Sequence, residues 1–335
     1  MKQAGVWTLA WKRFRRDRLG FFSLIVVLIY TVVMAAAAAG WLAHDWNDEA
    51  GVSFAPPTFL GPEEVDSPQL AKAAEGGQPV ADYGIPDPLA ADLAEIAKSM
   101  TGGAAGQTRS PTLPLGGDKW GRDVLKKVVK GTQTSLIVGL AAAALATFLG
   151  TLFGALAGFR GGAVDDFFNW LYSVFTAIPY LLLVLAIAAV IGQKGVLTVV
   201  LILGLTGWTG IFRLVRAEYI KHKVREYVLA ADAIGASPGR RMFVHILPNV
   251  SHVVLVQLSL YVVLFIKSEV ILTFLGFGVG VETVSWGSML AEAGSELLLG
   301  KWWQLAVATV AMALLVTSFS LFTDAMRDAL DPRLK

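Results

Sequence analysis

Six stretches of this chain each run for about 20 mostly apolar residues, enough for a helix to cross the hydrocarbon core of a bilayer. They fall at 19–43, 135–159, 167–191, 196–215, 253–275 and 302–326. No other feature restricts the fold as strongly, because a segment in lipid has to satisfy its own backbone hydrogen bonds. Composition agrees: 55% of the 335 residues are hydrophobic and 16% charged, against about 45–50% and 25% in soluble domains. The sequence therefore predicts an all-α membrane protein with six transmembrane helices. The third stretch contains Pro179, a predicted kink, and the fifth contains Lys267 and Glu269.

Basic residues orient the spans. Lys12, Arg13, Arg15, Arg16 and Arg18 precede the first. Arg213, Arg216, Lys221, Lys223, Arg225, Arg240 and Arg241 crowd the connection between the fourth and fifth, and Arg327 and Arg333 follow the last. With six spans these three regions share one side, the cytoplasm, so both termini are predicted inside. The acid-rich stretch holding Asp45, Asp48, Glu49, Glu63, Glu64 and Asp66 then lies outside. The first span shares a basic start and small residues with a secretory signal. Its apolar run continues through Trp41 and Leu42, well past the 7–15 residues of a signal core, so an uncleaved anchor is expected.

The expected organisation follows. A cytoplasmic amphipathic segment occupies 1–18, where Trp7, Trp11 and Phe14 recur at helical spacing, as suits a helix lying in the interface. The first transmembrane helix is 19–43. An extracytoplasmic insertion with a lead-in helix covers 44–132; within it 69–75 and 89–100 are candidate short helices and 101–114 a Gly/Ser/Pro linker. A five-helix core at 133–326 carries a cytoplasmic loop at 217–250, and 327–335 is a cytoplasmic tail.

That loop is the most informative part of the chain. Glu226 to Ile234 reads as a helix with small residues at Ala230, Ala231 and Ala233 beside Asp232. Gly235 is suited to end it, since glycine adopts the left-handed cap conformation. After Ala236, Ser237 is placed to cap a second helix, with Pro238 at its first turn. The second helix is expected to run to His245 and end before Pro248, which follows Leu247. Two short helices at a sharp angle result, with a small-residue face that another protein can approach closely.

This string resembles the "EAA" coupling loop of permease subunits in binding-protein-dependent ABC importers: Glu-Ala-Ala, three residues, Gly, then about ten residues to Leu-Pro. Ala230, Ala231, Gly235, Leu247 and Pro248 fall in register, whereas Leu229 replaces the motif glutamate and His245 stands where isoleucine is common. The stretch PLGGDKWGRDVL from Pro114 and GTQTSL from Gly131 are similar to the LGTDxxGRDVLxRxxxGxRxSL segment of dipeptide and oligopeptide permeases, with Gln133 in place of an arginine. Glu269 with the FLGFG run from Phe274, and the terminal RDALDPR from Arg327, resemble further segments of the C-type subunit. The family's arginine and aspartate near the start of the third span are Trp170 and Ser173 here.

The resemblance implies an ABC importer type I permease fold in a bacterial cytoplasmic membrane. It implies a homologous second permease, two cytoplasmic ATPase subunits and a periplasmic or lipid-anchored peptide-binding protein as partners. It implies di- or oligopeptide cargo, with nickel or a peptide antibiotic as the alternatives within the family. The chain is not expected to be an enzyme or to hold a cofactor: ATP and magnesium belong to the partner ATPases, and no Gly-x-x-x-x-Gly-Lys-Ser/Thr loop occurs. No catalytic or nucleic-acid-binding signature is present. A secondary transporter or channel is the rival class; it needs coupling charges or broken helices in repeated halves.

Three features stay open at this level. Gly150, Gly154 and Gly158 lie four apart on one face of the second span, and small residues so spaced form packing seams, within the chain or with a partner. Lys267 and Glu269, charges inside an apolar segment, are candidates for the translocation path or a gate. His245 and His252 share a helix face without acidic or cysteine partners, so no metal site is expected.

Overall fold

The computed structural model describes residues 11, 13–62, 109–280 and 282–330. The candidate helices at 69–75 and 89–100, most of 1–12 and the tail beyond 330 lie outside these. The described chain divides into two compact units, Asn47–Val124 and the remainder. Among the described residues no β-strand forms; three isolated bridges occur, all in the smaller unit.

Nine helices build the larger unit among the described residues: α1 (Arg18–Ala38), α2 (Val124–Arg160), α3 (Gly162–Thr176), α4 (Tyr180–Ile191), α5 (Val196–Lys223), α6 (Glu226–Ala233), α7 (Pro238–Phe274), α8 (Trp286–Leu298) and α9 (Trp303–Leu330). Five of them, α1, α2, α5, α7 and α9, are long and apolar enough to cross a membrane singly. The third stretch marked in the sequence forms a bent pair, α3 and α4, which meet at 84° and make either one broken span or a re-entrant loop. The break falls where the sequence placed Pro179, whose ring disfavours helical geometry in the residue before it and caps α4 instead. At 37 residues α2 is about 55 Å long, so it overhangs a bilayer core at one or both ends.

Asp17 caps α1 by accepting a hydrogen bond from Leu19 N–H at 3.0 Å. The helix lies along α9, where Tyr30 donates to the Ala311 carbonyl at 2.9 Å. Just before α1, Phe14 is buried against Ala325, Ala329 and Phe322 of α9. The sequence suggested headgroup contact for this ring; the protein takes it instead, while Trp11, stacked on it, is exposed.

In α2, Gly150, Gly154 and Gly158 face α5 of the same chain. A Cβ on each would lie 2.7 Å from the Trp208 carbonyl oxygen, 2.8 Å from that of Phe212 and 2.6 Å from that of Arg216. The seam is thus a backbone-to-backbone contact between two spans of the same chain.

The smaller unit is ordered by Asp118, whose buried carboxylate accepts from Trp120 and Arg122 N–H, each at 2.9 Å, as its own carbonyl accepts from Phe54 N–H. The LGGDKWGRD segment therefore folds as a tight turn against 51–57, with Gly121 at φ 80° directly over the Gly51 carbonyl.

Candidate functional site

The connection between α5 and α7 is an elbow on the side that the basic residues assign to the cytoplasm. Its first arm, α6, ends in a Schellman motif: Gly235 N–H donates to the Asp232 carbonyl at 2.8 Å and Ala236 N–H to the Ala231 carbonyl at 2.9 Å. Gly235 takes φ +85°, which a side-chain-bearing residue adopts only with strain. Ser237 then caps the second arm by accepting from Arg240 N–H at 3.3 Å, with Pro238 in the first turn. An ion pair from Arg241 to Asp232 at 2.7 Å ties the arms across the corner.

The second arm does not stop at His245, as the sequence suggested. It passes through a π-helical turn at Arg241–Ile246 and continues into the membrane as α7. Pro248 has no N–H to offer the carbonyl four residues back, and a π turn pairs each carbonyl with the donor five residues on. The proline is thus absorbed without ending the helix. Leu247 and Pro248 stand at the junction between the elbow and the span.

Val228 and Ala231 of α6 and Met242 and Ile246 of the π turn are buried with Ile211, Val215 and Tyr219 of α5. Tyr219 also donates to the Met242 carbonyl at 3.2 Å. The elbow is therefore seated on the end of α5. Here the small-residue face expected from the sequence needs correcting: Ala231 turns into the chain's own core, while Ala230 and Ala233 stay outside. What projects beside them is larger and apolar: Leu229 at 54% exposure, Ile234 at 86%, with Phe243 and Val244 on the second arm. The local pattern hides this, because apolar residues in a loop of mixed polarity do not declare which of them face out. Burial raises the Tyr227 phenol above its ordinary value, and its hydroxyl lies 2.9 Å from His222 Nδ1.

On the same side Arg216 of α5 grips Asp165 of α3 with two hydrogen bonds, Nε to Oδ1 at 2.5 Å and Nη2 to Oδ2 at 2.6 Å. Asn169 completes the site by donating to Asp165 Oδ1 at 2.9 Å. Trp170, where the resemblance places a charge, is exposed and packs beside Phe167.

At the opposite end of the bundle Glu269 is fully buried, and its carboxylate accepts from Ser135 and Thr273 hydroxyls, each at 2.8 Å. It points into the protein, while Lys267 is exposed; the two do not share a surface. Lys127, which sequence reasoning passed over, is 1% exposed and bonds Glu292 of α8 at 2.6 Å and Gln304 of α9 at 3.1 Å. It reads as one of several lysines at the start of α2, so no local signal marks it. Among the described residues no group of His, Cys, Asp and Glu is placed to hold a metal ion. His245 and His252 have no such company.

Five long apolar helices, a bent pair and an elbow packed onto one of the five make this a multi-pass membrane protein. The chain belongs to the family of binding-protein-dependent transport system inner membrane components, whose model matches residues 150–335 and so spans both α5 and the elbow. Residues 5–57 match the N-terminal TM domain of oligopeptide transport permease C. Among curated relatives, the dipeptide transport system permease protein DppC of Bacillus subtilis is 36% identical over 66% of this chain and 69% of its own length. The oligopeptide transport system permease protein OppC of the same organism is 35% identical over 66% of this chain and 72% of its own. The Lactococcus lactis dipeptide permease DppC is 28% identical over 97% of this chain and 90% of its own. The protein is accordingly a multi-pass component of the inner membrane.

Proposed function

We propose that the chain is one of two permease subunits of an ATP-driven importer of short peptides. The elbow carries the reading: it is a stiff two-armed knob, ion-paired across its corner, seated on α5 and continuous with α7, so a push on it is delivered to two spans at once. The relatives' names support peptide cargo. Leu229, Ala230, Asp232, Ile234, Gly235 and Phe243 are the elbow residues we assign to contact with a partner ATPase. ATP and magnesium belong to that partner, and this chain performs no hydrolysis. The homologous permease and an external binding protein complete the assembly. ATP-driven closure of the ATPase pair draws the elbows together, and the spans open outward to receive cargo from the binding protein. Such coupling requires the elbow to make different contacts in the two states. Glu269 serves this cycle as a pin of the outer segments.

The test is reconstitution with the cognate subunits. Gly235→Pro forces a negative φ on a position at +85° and removes the N–H that closes α6. We expect the assembly to co-purify while binding-protein-stimulated ATP hydrolysis drops about tenfold, as the loss of about 1.4 kcal/mol of coupling gives. Unaltered stimulation in that variant, or an elbow accessible to membrane-impermeant labels from outside the cell, refutes the assignment.

A further inference from the structure

A second polar feature lies far from the elbow, at the end of the bundle where Asp45, Glu282 and the start of α2 lie. A cavity of 310 Å³ is lined by Trp46, Lys130, Gln133 and Thr134 with Ile137, Val196 and the 282–284 turn. Its size is at the lower end of pockets that enclose small ligands, about 300 Å³ and upward. Lys130, Gln133, Thr134 and Ile137 follow the i, i+3, i+4, i+7 spacing that puts them on one face of α2. Two of the polar groups, on Lys130 and Gln133, have bonding capacity to spare. The Lys130 ammonium reaches only the Ala37 carbonyl, at 3.5 Å, and among the described residues it forms no ion pair with Glu282. Gln133 Oε1 is buried and accepts no hydrogen bond. A buried acceptor left empty costs about 1–3 kcal/mol, so a site that keeps one is suited to a ligand that donates.

The cavity thus presents one cation, one anion, one carbonyl acceptor, two threonine hydroxyls and an apolar wall. A purely anionic or cationic ligand leaves one of the two charges unmatched. A metal ion is disfavoured by a lone carboxylate beside a lysine, since hard cations take several oxygen ligands. We propose that the cavity is an outer subsite for a zwitterionic peptide of two or three residues: Lys130 takes the carboxylate, Glu282 the α-ammonium, and Gln133 Oε1 accepts an N–H of the peptide. It faces the side from which cargo arrives. The inference rests on the peptide-importer reading and narrows it, assigning to this subunit a share of selection for length and free termini.

The experiment uses the complete assembly in liposomes, with radiolabelled alanyl-alanine and saturating binding protein. Its readout is the ratio of peptide imported to ATP hydrolysed above the rate without binding protein, which leaves out turnover by uncoupled ATPases. Lys130→Met and Glu282→Gln should each lower that ratio about tenfold or more, the scale of one lost charge-assisted hydrogen bond. Gln133→Leu, which keeps the size of the side chain and removes the acceptor, should lower it about threefold or more. A ratio unchanged in all three variants overturns the subsite and leaves peptide import standing. Failure of the unaltered assembly to import alanyl-alanine overturns both.

Discussion

Gly154→Leu should leave almost no correctly folded protein, because α2 and α5 can no longer close on each other. A Cβ at this position would stand 2.8 Å from the Phe212 carbonyl oxygen, 2.9 Å from Val215 Cβ and 3.0 Å from Arg216 N. Two of those three atoms are backbone, so no rotamer change relieves the contact; the helices must move apart. Adding one methyl in a tight contact costs about 1–3 kcal/mol, and Gly154→Ala should fall in that range. Leucine adds three more carbons in the same direction. Separation also strains what α5 holds next to the seam: the Asp165–Arg216 pair and the seat of the elbow on Ile211, Val215 and Tyr219. We expect the monodisperse fraction in detergent to fall below about a tenth of normal, since each 1.4 kcal/mol is a factor of ten. Phe148→Leu, at an exposed position of the same helix, should leave that fraction unchanged. A well-behaved Gly154→Leu protein is incompatible with this packing of α2 on α5.

That seam shows where sequence reading stops. The four-residue glycine spacing was visible and so was its meaning, a close helix contact. The partner was not, since nothing in α2 distinguishes α5 of its own chain from a helix of another subunit. The spans themselves were readable, because a run of apolar residues long enough to cross a bilayer is a local property. So were the bend at Pro179 and the stop at Gly235, each of which depends on one residue's backbone.

What was missed needs three dimensions. α8 is only 13 residues long and mixes Ala, Gly, Ser and Glu with apolar positions. Its buried face of Trp286, Met289 and Ala293 acquires meaning once α7 and α9 stand beside it. The burial of Lys127 likewise follows from two elements more than 150 residues away in sequence. At the elbow the sequence marked the turn between the two arms, but the apolar knob at Leu229 and Ile234 emerges only after Val228 and Ala231 are seen to turn inward. That knob also bears on the missing motif glutamate: Leu229 presents an exposed apolar side chain where the family pattern has a charge.

Glu269→Ala should be the most damaging single change at the outer end, and the reason is its place in a relay. Trp286 N–H donates to the Ser135 hydroxyl at 3.3 Å, and that hydroxyl donates to Glu269 Oε2 at 2.8 Å. Val279 N–H donates to the Thr273 hydroxyl at 3.3 Å, which donates to Oε1 at 2.8 Å. One carboxylate thus holds Val279 and the start of α8 while joining α7 to α2. Among the described residues no cation pairs with it, so hydroxyls alone compensate its burial. Alanine leaves two hydroxyls without acceptors at about 1–3 kcal/mol each, so a loss of about 2–6 kcal/mol is expected. It should appear as a lower thermal-aggregation midpoint and as faster proteolysis of the connection between α7 and α8. Glu269→Gln keeps one acceptor oxygen and turns the other position into a donor, so about half the loss is expected. A charge that only attracted cargo along an open path would give a different pattern: normal stability in both variants, with transport lost. Equal stability of wild type, Glu269→Gln and Glu269→Ala would therefore remove the pin and return Glu269 to the path.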